Sequence, residues 1–280
     1  MTVHVEVMDL VAQLKAAEEA FVLATVVRTV SVTAAKAGAK AVIPPDGRIV
    51  AGWIGGGCAR GAVLKAAREA LADGAPRMVS VQPADLLAEL GVAPGDSRDG
   101  IRFASNMCPS QGTMDIFVEP VLPHPSLVIL GASPVALSLA AQARQLGYHV
   151  TLVAPAADVA GSVDADMVVD GFVPDDLNDA SRFVVVSTQG KGDEAALRAA
   201  VKIDAGFHAF VGSRRKMAAL REKLGAEGIA VEALDRIKAP AGLDLGAITP
   251  EEIAMSILAE ITLERRRGQR GMAFKQPQML

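Results

Sequence analysis

One stretch, Ala51 to Leu71 (AGWIGGGCARGAVLKAAREAL), constrains the fold more than any other. A short apolar run ends in Gly55, Gly56 and Gly57; Cys58 follows, and from Ala59 the residues Ala62, Val63, Ala66, Ala67, Ala70 and Leu71 recur at helical spacing. The cysteine therefore sits where a glycine loop becomes a helix N-terminus. Adjacent glycines permit positive φ and leave amide N–H groups uncovered, and the first helical turn adds unpaired N–H groups and the positive end of the dipole. The pattern predicts an anion site holding a readily ionised thiol, suited to act as a nucleophile or a soft metal ligand. The alternative makes the glycines packing devices between strand and helix, and Cys58 a small buried hydrophobe.

Before this stretch the sequence predicts a helix over 8–20, a strand over 21–30, a second strand at 41–43, and a Pro44-Pro45-Asp46-Gly47 turn leading into a strand at 48–53. After it, the helix stops at Asp73-Gly74, a strand covers 78–81, and 82–102 reads as a polar connection with one short helix near 84–90. Cys108 lies on a loop entering a strand at 113–120. It is either a second thiol of the same site or an incidental exposed one.

Pro120 to Pro125 (PVLPHP) is a stiff linker, dividing an N-terminal mixed α/β domain, 1–120, from a C-terminal domain, 121–280. Beyond it a strand at 127–130, a turn, a helix over 135–146 and a strand at 148–153 begin a doubly wound, Rossmann-like parallel sheet. Further strands (167–169, 183–187, 208–211) alternate with helices, the last opened by the capping box Thr249-Pro250-Glu251-Glu252. The dinucleotide fingerprint is incomplete. Gly131 is followed by Ala132 and then by Ser133 and Pro134, which crowd the approach of a pyrophosphate, and the second strand ends at Ala154-Pro155 with no carboxylate for a ribose. NAD(P) is thus the less favoured ligand.

The chain has 280 residues, 51% of them hydrophobic and 21% charged, which suffices for two cored domains and excludes a disordered chain. A net charge of −4 offers no footprint for nucleic acid. Two cysteines are too few for a disulfide-stapled secreted fold, the first twenty residues read as an amphipathic helix and not a leader, and the apolar runs are too short to span a membrane. A cytoplasmic protein with reduced thiols is expected. The four histidines show no metal-ligand spacing, and no G-x-S-x-G elbow occurs.

Taken in order, Val27-Arg28-Thr29, Lys36 to Lys40 (KAGAK), Asp46 to Ile49 (DGRI), GGGC at 55–58, Gly112 to Pro120 (GTMDIFVEP), Leu130-Gly131-Ala132, Val211 to Lys216 (VGSRRK), Ile237 to Ala247 (IKAPAGLDLGA) and Thr249 to Ala254 (TPEEIA) resemble the XdhC/CoxI family of accessory proteins that mature molybdenum hydroxylases. Val30 to Ala35 (VSVTAA) stands where that family usually carries a Gly-Ser-Ser-Pro-Arg-like loop. The resemblance implies binding of molybdenum cofactor, as molybdopterin or its dinucleotide form, with a cysteine desulfurase assisting its sulfuration. It further implies delivery into an apo-hydroxylase of the xanthine dehydrogenase type by a chaperone that self-associates as a homodimer. On this view Gly55, Gly56 and Gly57 place the cofactor's anion, Cys58 contacts the molybdenum, and Cys108, Arg28, Lys40, Arg60 and Gly131 are further cofactor-binding candidates. The three cations would pair with phosphate; the alternative leaves each solvated. The same holds for Arg214 and Arg215 in the VGSRRK run. A rival function is an NAD(P)-dependent oxidoreductase using Cys58 as its reactive thiol.

Overall fold

A computed structural model describes residues 6–109, 111–159, 161–172 and 182–266, apart from the side chains of Cys58 and Arg182. The chain divides into two units, Met1–Pro123 and His124–Leu280. No helix among the described residues is long and apolar enough to cross a membrane.

The first unit runs α1 (Val7–Ala16), β1 (Phe21–Val30), β2 (Lys40–Ile43), β3 (Ala51–Gly52), α2 (Gly57–Asp73), β4 (Arg77–Gln82), α3 (Ala84–Leu90), β5 (Ser97–Arg98), β6 (Ile101–Ser105) and β7 (Thr113–Val121). Its seven strands form one sheet in the order β3-β2-β1-β7-β4-β6-β5, antiparallel except where β4 meets β6. Period-two alternation sends Val22, Ala24, Val26, Val79, Val81, Met114, Ile116 and Val118 to one face, where Val63, Ala66, Ala67 and Ala70 of α2 cover them. On the reverse face, Phe21 and Val42 pack with Val11 of α1.

Three expectations need correction here. The first helix ends at Ala16 and not at 20, because Glu18 takes positive φ (53°) and the Glu19 amide reaches back to the Leu14 carbonyl, a left-handed helix stop on a residue that is not glycine. The strand expected over 48–53 is confined to Ala51–Gly52. The polar connection over 82–102 instead carries β5 and the start of β6; Ile101 and Phe103 alternate with Arg102 as befits a strand near a sheet edge, and the surrounding charges mask that period.

The second unit runs β8 (Ser126–Leu130), α4 (Pro134–Gln145), β9 (His149–Ala154), β10 (Met167–Asp170), β11 (Arg182–Val186), α5 (Asp193–Ala200), β12 (Phe207–Phe210), α6 (Arg214–Ala226), α7 (Val231–Asp235), β13 (Ile237–Lys238) and α8 (Pro250–Arg266). Its sheet is parallel throughout, in the order β10-β9-β8-β11-β12-β13. This is the doubly wound Rossmann order, reversing direction between β8 and β11. Leu127, Ile129 and Val185 face α4 and α8, whereas Val128, Leu130, Val184 and Val186 face α5, α6 and α7. Strands buried on both faces explain the continuous apolar runs.

Helix α8 opens on the expected capping box: Thr249 Oγ1 accepts from the Glu252 amide, and Glu252 Oε2 accepts from the amides of Ile248 (2.8 Å) and Thr249 (3.0 Å). Those two amides hold the Glu252 carboxyl below the ordinary carboxylate range. A carboxyl depressed on folding stabilises at pH values above its unfolded range and loses that contribution as pH falls through its folded value. Between pH 5 and 2, the melting temperature of a Glu252→Gln variant is therefore expected to fall less steeply than that of the parent, as followed by circular dichroism.

Candidate functional site

The glycine loop delivers the chain from β3 to α2 in three distinct steps. Gly55 is buried at φ 111°, a conformation that demands glycine; a Cβ there would meet only the movable end of the Met114 side chain. Gly56 is the N-cap, with φ −80° and no side-chain cap bond, and Gly57 is the first helical residue. At neither does an added Cβ meet another atom. Cys58 is the second residue of α2, and its side chain lies outside the described residues.

Gly56 and Gly57 line a small cavity of about 60 Å³ together with Thr33, Ala34, Ala59, Asn106, Cys108 and Met114. Fifty positions of sequence separate the two cysteines, and the structure brings the Cys108 loop to the start of the helix that bears Cys58. Asn106 builds that loop. Its Nδ2 donates to the Gly112 carbonyl (2.6 Å), its Oδ1 accepts from the Cys108 amide (3.0 Å), and its own amide donates to the Gln82 carbonyl at the end of β4 (2.7 Å). Gly112 lies against the second loop of the site: a Cβ there would run into the Val32 carbonyl and the Thr33 methyl, and Val32 pairs with Gln111 in an isolated parallel bridge. Thr33 and Asn106 escape motif reading. The signal for Asn106 was the Asn-x-Cys spacing, an Asx turn that presents the amide two residues on.

The three cations proposed as phosphate partners do not line this cavity. Arg60 is exposed on α2, and Lys40 is turned to the other face of the sheet, where its Nζ donates to Thr25 Oγ1 (3.0 Å). Arg28 is displaced by a β-bulge. The β1 register with β7 shifts between Val26 and Arg28, so Val26 faces α2 while Arg28 stands opposite Asp115 and Val30 opposite Thr113, on the reverse face. There Arg28 Nε bonds Asp115 Oδ2 at 2.5 Å.

Gly131 belongs to the second unit and therefore to a different feature. It sits at φ 114° after β8, where a Cβ would strike the Ser187 carbonyl behind β11. Ser133 caps α4 by accepting from the Ala136 amide, and Pro134 occupies the first helical position, so the Ser-Pro pair is a helix start. A crevice of about 230 Å³ opens here, lined by Gly131, Ser133, Asp158, Thr188 and Lys191 among others. Asp158 comes four residues after β9, in a short 3-10 turn. It brings to the crevice a carboxylate that is missing from the strand end itself.

Residues 127–261 match the family described as the XdhC Rossmann domain, and residues 14–82 match the XdhC and CoxI family. The chain belongs to the XdhC/CoxI family. Its expected fold class, a mixed α/β unit followed by a Rossmann-like parallel sheet, holds for this family member. It is 28% identical over 251 residues to the uncharacterized protein YqeB of Escherichia coli (strain K12), an alignment covering 85% of this chain and 42% of that protein. The chain thus spans less than half the length of that curated relative. A crystal structure described as a xanthine dehydrogenase from Bacillus halodurans aligns with a TM-score of 0.45 at 19% identity, covering 98% of each chain.

The Asn106 bonds generate a prediction for this XdhC/CoxI protein. Asn106→Ala removes two loop bonds and is expected to cost about 1–2 kcal/mol in urea denaturation, at roughly 1 kcal/mol per bond. Hydrogen exchange at the Cys108 amide should accelerate at least about tenfold, since it loses its acceptor.

Proposed function

We propose that this protein binds molybdenum cofactor through the cavity at the start of α2 and serves as a cytoplasmic, self-associating accessory factor for a molybdenum hydroxylase of the xanthine dehydrogenase type. In this role it receives sulfur for the cofactor from a cysteine desulfurase and delivers the cofactor to the apo-enzyme. The observation that carries the reading is the character of Gly56 and Gly57: neither has positive φ, neither is packed against anything, and both line a cavity shared with Cys108. Backbone conformation accounts for Gly55 alone. What glycine supplies at the next two positions is backbone left bare toward the cavity, at the positive end of a seventeen-residue helix.

The residues fit one end of such a cofactor. A pterin dithiolene with a phosphate or nucleotide tail is soft at the metal and anionic at the tail, and a cavity of about 60 Å³ admits a single terminal group, leaving the pterin outside. Cys58 and Cys108 would supply thiolates to the metal end, with the amides at Gly57 and Cys58 as hydrogen-bond donors to its oxo or sulfido group. When bound, the cofactor supplies a molybdenum centre with an exchangeable terminal ligand. The chain's part is to hold that end out of bulk water and orient it until transfer.

Two variants test the reading in protein purified from cells that make the cofactor, with molybdenum measured by mass spectrometry and pterin by fluorescence after oxidation. Cys58→Ala is expected to abolish copurifying molybdenum; unchanged stoichiometry and affinity would sink the proposal. Gly57→Ala is expected to leave stability unchanged or raise it by under about 1 kcal/mol, because alanine is the better helix former. It should nonetheless weaken cofactor retention at least about tenfold. Tight NAD(P)(H) binding with hydride transfer in a parallel titration would favour the oxidoreductase alternative.

A further inference from the structure

On the reverse face of the first unit's sheet lies a second cleft, of about 460 Å³, which the cysteine site does not use. Val30, Leu86 and Leu90 wall it and Gln82 and Thr113 floor it, with Arg28 at one side. The two floor residues are 8% and 4% exposed, so both are polar side chains buried by more than nine-tenths. The Thr113 hydroxyl has no hydrogen-bond partner among the described residues. Neither the Thr113 hydroxyl nor the Gln82 amide is a sealed, unpaired group; both polar ends converge on one opening.

A chain of hydrogen bonds fixes which way Gln82 faces. The Asp115 carboxylate, paired with Arg28, only accepts, and it takes the single proton of Ser80 Oγ at 2.5 Å. Ser80 oxygen must then accept, which it does from Gln82 Nε2 at 2.8 Å. With its nitrogen committed toward Ser80, Gln82 keeps its carbonyl Oε1 and one amide hydrogen for the cleft it lines. The cleft is no anion site: the charge of Arg28 is offset by Asp115, and Glu89 on the rim adds a negative charge.

We propose that this cleft binds a flat, uncharged heterocycle through a lactam edge, an N–H beside a C=O as found in purine, pyrimidine and pterin bases. The ring N–H donates to Gln82 Oε1, the ring carbonyl accepts from the Thr113 hydroxyl or the free Gln82 hydrogen, and the aliphatic walls cover the faces of the ring. The inference is independent of the cofactor reading, because Gln82 and Thr113 face away from the cavity that their strand neighbours Val81 and Met114 help to line.

The test is calorimetric titration of the full chain with hypoxanthine, uracil and pterin in separate arms, and with 1-methylhypoxanthine, which lacks the edge N–H. At least one of the first three is expected to bind, and whichever does identifies the base class. Thr113→Val and Gln82→Glu should each weaken that binding about tenfold or more, and the methylated base should bind at least about tenfold more weakly than hypoxanthine where hypoxanthine binds. If Gln82→Glu fails to fold, the near-isosteric Thr113→Val decides alone. No binding in any of the first three arms, or binding indifferent to the floor variants, would overturn the proposal.

Discussion

Successive residues of a strand face opposite sides of a sheet, and at the ends of β4 and β7 that constraint separates two chemistries lying one residue apart. Val81 and Met114 turn toward α2 and the cavity of the cysteine loop, while Gln82 and Thr113 turn to the reverse face and floor the second cleft. Neither feature can be moved without the other, because a register slip of one residue would exchange valine for glutamine under α2. The apolar contacts of α2 with Val79, Val81, Ile116 and Val118 fix the register, and the polar features of both faces follow from it.

Much of this fold was legible because its elements carry strong local signals. Strand β1 was readable to the residue from its run of β-branched side chains, α2 from its alanine stripe and Gly74 stop, and the second unit from apolar runs that only a sheet buried on both faces requires. Charge concealed β6, and a left-handed Glu18 ended α1 where no glycine announced a stop. At the cysteine site the glycine loop was legible and its second wall was not, since Thr33 and Asn106 arrive through long-range pairing. Arg28 shows the limit most sharply. Uninterrupted alternation would place it with Val22, Ala24 and Val26 facing α2, and a single bulge at Val27 reverses it.

In the second unit, sequence features that looked like a defective nucleotide loop have their own structural logic. Ser133 and Pro134 start α4, and Gly131 permits the close approach of β8 to the chain leaving β11. The IKAPAGLDLGA run is likewise tied down. Buried Glu260 of α8 accepts from the Gly242 amide and pairs with Lys238, while Gly242 sits at φ 93° where a Cβ would meet Ser256 Oγ. Removing Lys238 would leave the buried Glu260 carboxylate without its counter-charge, a larger penalty than the ion pair itself is worth in stability.

The bridge between Val32 and Gln111, with Gly112 pressed on the Val32 carbonyl, splices the loop after β1 to the loop before β7. Two segments some eighty positions apart in the chain thereby share one length requirement. Surface loops ordinarily absorb insertions and deletions at little cost, but here one added residue in either segment would shift the thiol of Cys108 relative to the helix start. Among proteins built on this plan, the lengths of these two loops are expected to vary together or not at all, and that covariation is visible in sequences without any structure in hand.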